Sequence, residues 1–515
     1  MSNVADLHQE NEHLKAQIHS QQHYIKQLEE ALLKARQQRF GASSEKQSPD
    51  QITLFNEAET DLVESDEIEE KEHTTTVQSH TRKKRQRIAI PDNIEREDIT
   101  YDLTDSEKVC PLDGTTLKPI GEDTHEQLDI IPAKLKAIRH IRKKYACPCC
   151  EQYVVTAKKP KQPIEKSIAS PGLLAYIATN KYCDALPLYR QTELFKRIGI
   201  DFNRTQLANW MIKTGELIQP LINLMQDHIR QQSVMHLDET TVQVLKEQNK
   251  TAQSKSYMWV MACYGQQPAV LYHYAPSRSG VVAENLLQGT PPNTAVIVDG
   301  YEGYQKACDT QKLKRLGCWA HARRRFVNVQ KLTQGNKKQK GKNKVGKADQ
   351  ALAFIQKLYA VERQIKDKPI DERYQIRQAQ SKPVVEKLRQ WLDKNLPHTP
   401  PKVELGKAMS YLHEQWPRLV GYLENGAYPI DNNPVENSIR PFTVGRKNWL
   451  FSNSQAGAHA SANLYSLIET AKANDHNPYE YLKEVFAKLP NADQVEEIEN
   501  LLPWQVELTS EMIPG

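Results

Sequence analysis

The chain reads as multidomain: an N-terminal coiled coil, a small cysteine-bearing unit, a helical region, an α/β domain interrupted by a helical insertion, and a C-terminal helical segment. Three observations predict this order. Apolar residues repeat every 3.5 positions through the first forty residues, four cysteines fall between positions 110 and 150, and after residue 233 the apolar period changes from helix-like to strand-like. At 515 residues the chain is also too long for one ordinary core.

The heptad of residues 1–46 places Val4, Asn11, Ile18, Ile25 and Leu32 at position a and Leu7, Leu14, Gln21, Leu28 and Ala35 at position d. Such a seam needs a partner helix, and a single Asn at a commonly fixes dimer register, so the expectation is self-association. A helix folded back on its own protein is the rival reading, and Gln21 weakens the seam. "QQRFGASSEK" ends the helix at Gly41, and residues 47–87 read as a charged linker. Net charge is only +5, but it is segregated: residues 57–72 are mostly acidic, while "RKKRQR" and "NKKQKGKNKVGK" are basic. That pattern suits a chain that meets a polyanion with selected surfaces, and equally suits solvated linkers. Mean hydropathy is −0.68, no stretch approaches a membrane span, and the polar N-terminus is no secretory signal, so a reduced cytoplasmic protein is expected.

Residues 88–160 carry Cys110 in "CPLDG" and Cys147, Cys149 and Cys150 in "YACPCC". Cys147 and Cys150 form one C-x-x-C knuckle for zinc; in the other, Asp113 stands where a second Cys would be expected. A structural zinc site with Cys110, Asp113, Cys147 and Cys150 and a set of unrelated thiols both remain open. Residues 165–232 read as helices: Ser170 caps one with Pro171 at its first position, Gly199 stops the next, and Asn203 starts a third. Two helices joined by "GIDF" fit a DNA-reading helix-turn-helix and a plain bundle alike.

From 233 to 456, "VMHLDETTVQVL", "SYMWVMACYG" and "PAVLYHYA" read as a three-strand meander, and "SRSGVVAENLLQG" as a helix ended by Gly289. "TAVIVDGY", residues 294–301, is a buried strand, and "KLKRLGCWAHARRRFV" a short strand and a basic helix. Three strands, helix, strand, helix, strand is the ribonuclease-H-like order. Residues 349–425 supply the helical insertion. Asp238 lies in the first strand and Asp299 ends the fourth, at the sheet end where open α/β folds bind ligands. Paired carboxylates of this kind often mark a metal site. Strand alternation sends Glu239 to the other face, as a strand-face charge or a cap.

"DNNPVENSIRPFTVGRKNWLF", residues 431–451, begins another helix. Asn433 as N-cap, Pro434 at the first position and Glu436 make a capping box in outline, and Arg440 could pair with Glu436 one turn on. Alternatively Glu436 is a third metal-binding carboxylate beside phosphate-ready donors, including Asn432, Asn437, Arg446, Lys447 and Asn448. Two Mg²⁺ (or Mn²⁺) about 3.5–4 Å apart would then serve in-line attack on a phosphodiester.

"MHLDETTVQV", "VDGYEGY", "GCWAHARRRF" and the 431–451 stretch together resemble the DDE transposases of the bacterial insertion sequence family sixty-six. "RFGASSEK", the Cys-bearing segment and "LYSLIETAKANDHNPYEYLKEVFAKLP" extend the resemblance over nearly the whole chain. It implies Asp238, Asp299 and Glu436 as the catalytic, magnesium-binding triad. It also implies DNA contacts from the Cys318/His321/Arg324/Arg325 segment and from Asn433, Arg440, Arg446 and Lys447, with His321 alternatively bracing the site. The expected activity is binding of element ends, DNA cleavage and strand transfer by a nucleoid-associated bacterial enzyme, and such elements often encode small accessory proteins. A catalytically silent repressor and a ribonuclease-H-like nuclease are the alternatives.

Overall fold

A computed structural model describes residues 133–146, 154–334 and 346–508, with positions 21, 96–99, 102, 108, 116, 125 and 127. The heptads apart from Gln21, the linker, Cys110, Asp113, Cys147, Cys150 and nearly all of the basic run 335–347 lie outside the described residues. Residues 44–139 form one compact unit and residues 1–43 with 140–515 a second. In the first, the stretch 133–139 is irregular and exposed, and Lys108 Nζ lies 2.5 Å from Asp102 Oδ2.

The second unit starts with an exposed antiparallel hairpin of β1 (Lys144–Ala146) and β2 (Val154–Thr156). Four helices follow: α1 (Pro171–Tyr182), α2 (Leu188–Arg197), α3 (Arg204–Leu217) and α4 (Gln219–Arg230). Their starts are those the sequence signals. Ser170 Oγ accepts from the Leu173 amide, and Asn203 Oδ1 from the Gln206 amide, each satisfying a donor that the first turn leaves open. Gly199 takes φ +96° at the turn between α2 and α3, a conformation other residues reach only with strain. Phe195, Phe202 and Trp210 then meet edge to face at centroid distances of 5.1 and 5.3 Å. The inner face of α3 is core, as in a bundle, while Arg204, Thr205, Asn209 and Lys213 face outward.

The sheet follows in the expected order: β3 (Val234–Lys246), β4 (Lys255–Cys263), β5 (Ala269–Ala275), α5 (Gly280–Leu287), β6 (Ala295–Ile297), α6 (Gly303–Gln311), β7 (Lys314–Leu316) and α7 (Trp319–Gln334). In space the strands run β5-β4-β3-β6-β7, the first three antiparallel, β6 and β7 parallel to β3. β6 is shorter than the expected 294–301. Its pairing with β3 and β7 stops at Ile297, and the chain then turns, which carries Asp299 clear of the ladder.

An insertion of α8 (Lys347–Ile365), α9 (Ile370–Ile376), a π-helical turn (Arg377–Ser381), α10 (Lys382–Asn395), α11 (Glu404–Glu414) and α12 (Trp416–Val420) packs against α7 around its own core, which includes Phe326, Ile355, Leu388 and Leu412. Inside it Arg377 is fully buried. Its guanidinium reaches both Glu362 oxygens at 2.8 and 2.6 Å and the carbonyls of Tyr422 and Asn425 at 3.0 and 2.9 Å. The chain returns through α13 (Asn433–Trp449) and β8 (Ser452–Ser454), which lies parallel to the far end of β3.

The last helices are α14 (Gln455–Ala473), α15 (Pro478–Lys488) and α16 (Val495–Glu499). Periodicity sets residues 165–232, 233–456 and 457–515 apart, yet one hydrophobic core runs through all three, from Ile164 to Val506. α14 is its centre. Gly215 of α3 comes so near that a Cβ there would stand 2.6 Å from Ala460 Cα. On its other side α14 lies along β5, the sheet's edge. Ser466 Oγ accepts from the Tyr272 amide at 2.7 Å, and Thr470 Oγ1 accepts from the Val270 amide and donates to its carbonyl, both at 3.0 Å. Two hydroxyls one turn apart thus satisfy backbone groups that an edge strand leaves unpaired.

Candidate active site

The site grows from the two faces of β3. Side chains alternate along a strand, so His236, Asp238 and Thr240 share one face and Leu237 and Glu239 the other. The first face belongs to α13. His236 Nδ1 lies 2.8 Å from Asn432 Oδ1, and Arg446 Nη1 lies 3.2 Å from the hydroxyls of Thr240 and Thr241. Asp238 sits between these contacts, half-buried, with Oδ1 accepting from the Glu239 amide at 2.8 Å. Burial holds its carboxyl well above the usual range, and the negative charges of Glu239, Asp299 and Glu436 push in the same direction.

Asp299 stands two residues beyond β6, its Oδ1 accepting from the Tyr301 amide at 2.8 Å. The turn that carries it is pinned twice. Buried Arg315 of β7 donates to the carbonyls of Asp299 and Tyr301 at 3.2 and 2.8 Å. At Gly300 a Cβ would lie 2.7 Å from the ring of Tyr411, so the insertion helix α11 presses directly on this turn. Arg325 stacks over the other part of that contact, 4.0 Å from the Tyr411 ring centre.

Glu436 projects from the first turn of α13. The helix start corrects the expected cap: Asn432, not Asn433, is the N-cap residue, and its side chain makes no capping bond because it is used elsewhere. Asn433 is buried, with its amide on Asp431 Oδ2 at 2.8 Å, which takes it away from the surface expected of a DNA contact. No capping box forms, since the Glu436 carboxylate bonds neither the Asn432 amide nor Arg440. Its Oε2 accepts from Arg324 Nη2 at 2.7 Å, and its Oε1 lies 3.5 Å from His321 Nδ1. Burial holds the His321 imidazole below its ordinary value, opposed by the Glu436 charge. Arg440 and Lys447 are exposed on α13, and Arg446 is half-buried against β3.

Asn432, His236, Glu239 and Arg278 take roles in the site that the sequence did not assign to them. Asn432 is fully buried and links three parts: His236, the Leu237 carbonyl (Nδ2 to O, 3.1 Å) and, through its backbone amide, Cys318 Sγ at 3.2 Å. His236 is correspondingly neutral, pushed down to about 4 by burial. On the opposite face, Glu239 is a buried ion-pair partner and not a cap: Arg278 and the Tyr304 hydroxyl both bond its carboxylate. Burial raises Glu239, against the lowering effect of those two partners. Arg278 also stacks 4.1 Å over the Tyr301 ring and lies 3.5 Å from Asp299 Oδ2, so one cation serves both acids. Arg278 sits in an ordinary "SRSG" loop, which no periodicity marks.

Because Asn432 fixes the start of α13 to β3, Asn432→Ala is expected to leave the Leu237 carbonyl and the His236 nitrogen unpaired. That costs about 1–3 kcal/mol, read as a lowered urea midpoint at unchanged slope. An unchanged midpoint would show that the amide contributes nothing to holding the two elements together.

The donor set suits hard divalent cations. Asp238, Asp299 and Glu436 offer only oxygen, the preference of Mg²⁺ and Mn²⁺. Burial first, and the neighbouring negative charges second, disfavour an ionised Asp238, a cost that a cation would relieve, and Glu436 Oε1 is buried with no hydrogen-bond partner.

Residues 166–460 match the family model described as "Transposase IS66 family". The chain belongs to the IS66 transposase family. Three further models match along this IS66-family chain: "Transposase C of IS166 homeodomain" at residues 27–99, "zinc-finger binding domain of transposase IS66" at 107–151 and "IS66 C-terminal element" at 466–504. Among curated proteins it is similar to Uncharacterized protein y4jD of Sinorhizobium fredii (strain NBRC 101917 / NGR234), 31% identical over 431 residues, covering 81% of each chain. Uncharacterized protein y4hP of the same organism is 29% identical over 495 residues, covering 93% of this chain and 88% of that one. No solved structure matches the chain. Among the described residues of this IS66-family protein, no helix is long and apolar enough to cross a membrane.

Proposed function

We propose that the protein is a DNA transposase that binds the inverted-repeat ends of its own element, cleaves DNA strands and transfers them, on a ribonuclease-H-like sheet. The observation that carries this reading is that Asn432 ties the start of α13 to β3, which holds Glu436 on the sheet that bears Asp238, with the Asp299 turn following β6, the strand paired beside β3. Two Mg²⁺ held by these three side chains would supply an activated water or 3′-hydroxyl and stabilise the leaving oxygen.

The chain's own residues do the rest. Asn432 and His236 hold the start of α13 on β3, so that Glu436 keeps its distance from Asp238. Arg315 and Tyr411 hold the Asp299 turn. Arg278 shares its charge between Glu239 and Asp299, which keeps Asp299 oriented. Arg324, Arg325, Arg440 and Lys447 are exposed around the acids and take DNA phosphates. His321 braces Glu436, and Arg446 braces β3. End recognition falls to the zinc-finger region with Cys110, Asp113, Cys147 and Cys150 as zinc ligands, and to the outward face of α3. Residues 1–46 mediate self-association, and small accessory proteins of the element complete the machinery in a cytoplasmic, nucleoid-associated setting.

The test uses DNA from the gene's own flanks, incubated with the full chain and Mg²⁺ or Mn²⁺, with 3′ ends mapped on both strands. Nicks at the tips of flanking inverted repeats are the expected result. Tight binding of those tips without nicks, with the element's accessory proteins present, would overturn the catalytic reading in favour of a repressor. Nicks without end preference or strand transfer would favour a nuclease.

A further inference from the structure

Beside the three acids lies a second, chemically softer set of ligands. Cys318 ends the β7 connection, His321 follows one helical turn later on α7, and Glu436 enters from α13. One ligand atom from each lies within 4.8 Å of the others. His321 Nδ1 and Glu436 Oε1 are 3.5 Å apart, and both are buried without a hydrogen-bond partner. Zinc holds nitrogen at about 2.0–2.1 Å and carboxylate oxygen at about 2.0–2.2 Å, so two such ligands on one tetrahedral ion stand roughly 3.4 Å apart. The observed separation is that of a shared ion, and too long for a good hydrogen bond. The third corner already has its outer support: the Asn432 amide points at Cys318 Sγ at 3.2 Å, as backbone amides do at metal thiolates.

We propose that Cys318 Sγ, His321 Nδ1 and Glu436 Oε1 form a site for one thiophilic divalent cation of the Zn²⁺ class, leaving a fourth position for water. A sulfur–imidazole–carboxylate set selects such ions over Mg²⁺, which avoids sulfur. On binding, the Cys318 thiol releases its proton to solvent. His321 must carry its remaining proton on Nε2, so Arg324 Nη1, now 3.4 Å from that nitrogen, has to move away. Arg324 is half-exposed, so solvent can take over its hydrogen bonds once it leaves His321. The cation captures the Glu436 oxygen that has no hydrogen-bond partner and is otherwise available to a catalytic cation. Occupancy therefore switches cleavage off, a consequence that rests on the reading of Glu436 as the third catalytic carboxylate.

The experiment is a Co²⁺ titration of the full chain, in a Cys147→Ser/Cys150→Ser background that removes the zinc-finger thiolate pair. It is followed by thiolate-to-cobalt charge-transfer absorbance and by metal content after dialysis. One equivalent of cobalt with a thiolate band is expected, lost in Cys318→Ser and, at a partly exposed position that leaves the core intact, in His321→Gln. Arg324→Ala removes both a competitor for His321 and a repelling charge, so it should tighten binding several-fold. Identical stoichiometry and absorbance in Cys318→Ser and His321→Gln would overturn the site. Zn²⁺ is then added to the Mg²⁺ nicking reaction, each variant compared with its own zinc-free rate. Inhibition of the parent that fades in His321→Gln supports the switch. Cobalt binding through Cys318 without any zinc inhibition upholds the site and instead counts against the catalytic role of Glu436.

Discussion

Glu436→Gln is expected to lower metal-dependent nicking by about 10³-fold while leaving DNA binding and the melting temperature close to the parent's. The substitution is nearly isosteric, and the glutamine carbonyl can still accept from Arg324, which now bonds Glu436 Oε2 at 2.7 Å. The helix start is also indifferent, because neither the Asn432 nor the Asn433 side chain caps through Glu436. What disappears is one negative ligand, and metal-ion stabilisation of a phosphoryl transition state is worth several kcal/mol, each 1.36 kcal/mol being tenfold in rate. Asp238→Asn and Asp299→Asn should match it. The measurement is single-turnover nicking of a pre-bound end, so that affinity drops out. Nicking by Glu436→Gln at the parental rate would leave Glu436 a partner of Arg324 and nothing more.

The largest expected effect on stability lies in the insertion. Glu362→Ala removes the carboxylate that takes two hydrogen bonds from Arg377, a side chain with no solvent exposure. The carbonyls of Tyr422 and Asn425 remain, but they carry no charge to balance a buried guanidinium. Breaking a buried pair from one side costs about 3–5 kcal/mol, whereas replacing both partners with apolar residues of similar volume is often neutral. Chemical denaturation of Glu362→Ala and of Glu362→Leu/Arg377→Met separates the two cases: the double variant should recover most of the loss. Equal destabilisation in both would mean that packing, not charge, sets the cost. Because Tyr411 of the same insertion presses on the Asp299 turn, loosened insertion helices should also slow nicking.

Much of this was legible beforehand where local physics dominates. The starts of α1 and α3 follow from Ser170 and Asn203, the stop of α2 from Gly199, and the order of strands and helices from the change of period. The placement of Asp238 within a strand and of Asp299 just past one was likewise local in origin. Less legible was anything decided by partners distant in sequence. Asn433 has the pattern of a cap, yet Asp431 draws its amide away, and the adjacent Asn432 has a 195-residue reach to Leu237 that no local rule detects. Arg278 and Arg315 look like surface charges until the fold places acids and carbonyls around them. The C-terminal segment read as a separate piece, since no local rule shows that Ser466 and Thr470 of α14 bond the backbone of β5.

That last arrangement sets a timetable. Tyr272 meets Ser466 across 194 residues, and a ribosome adding ~5–20 residues per second needs about 10–40 s to bridge them. Throughout that interval the nascent polypeptide holds a finished edge strand with its amides and carbonyls open, an invitation to pair with a neighbouring chain on the same message. Truncation, or a premature stop anywhere before Thr470, leaves that invitation permanent, so shortened products should be cleared as aggregates and not persist as partial, competing binders of DNA.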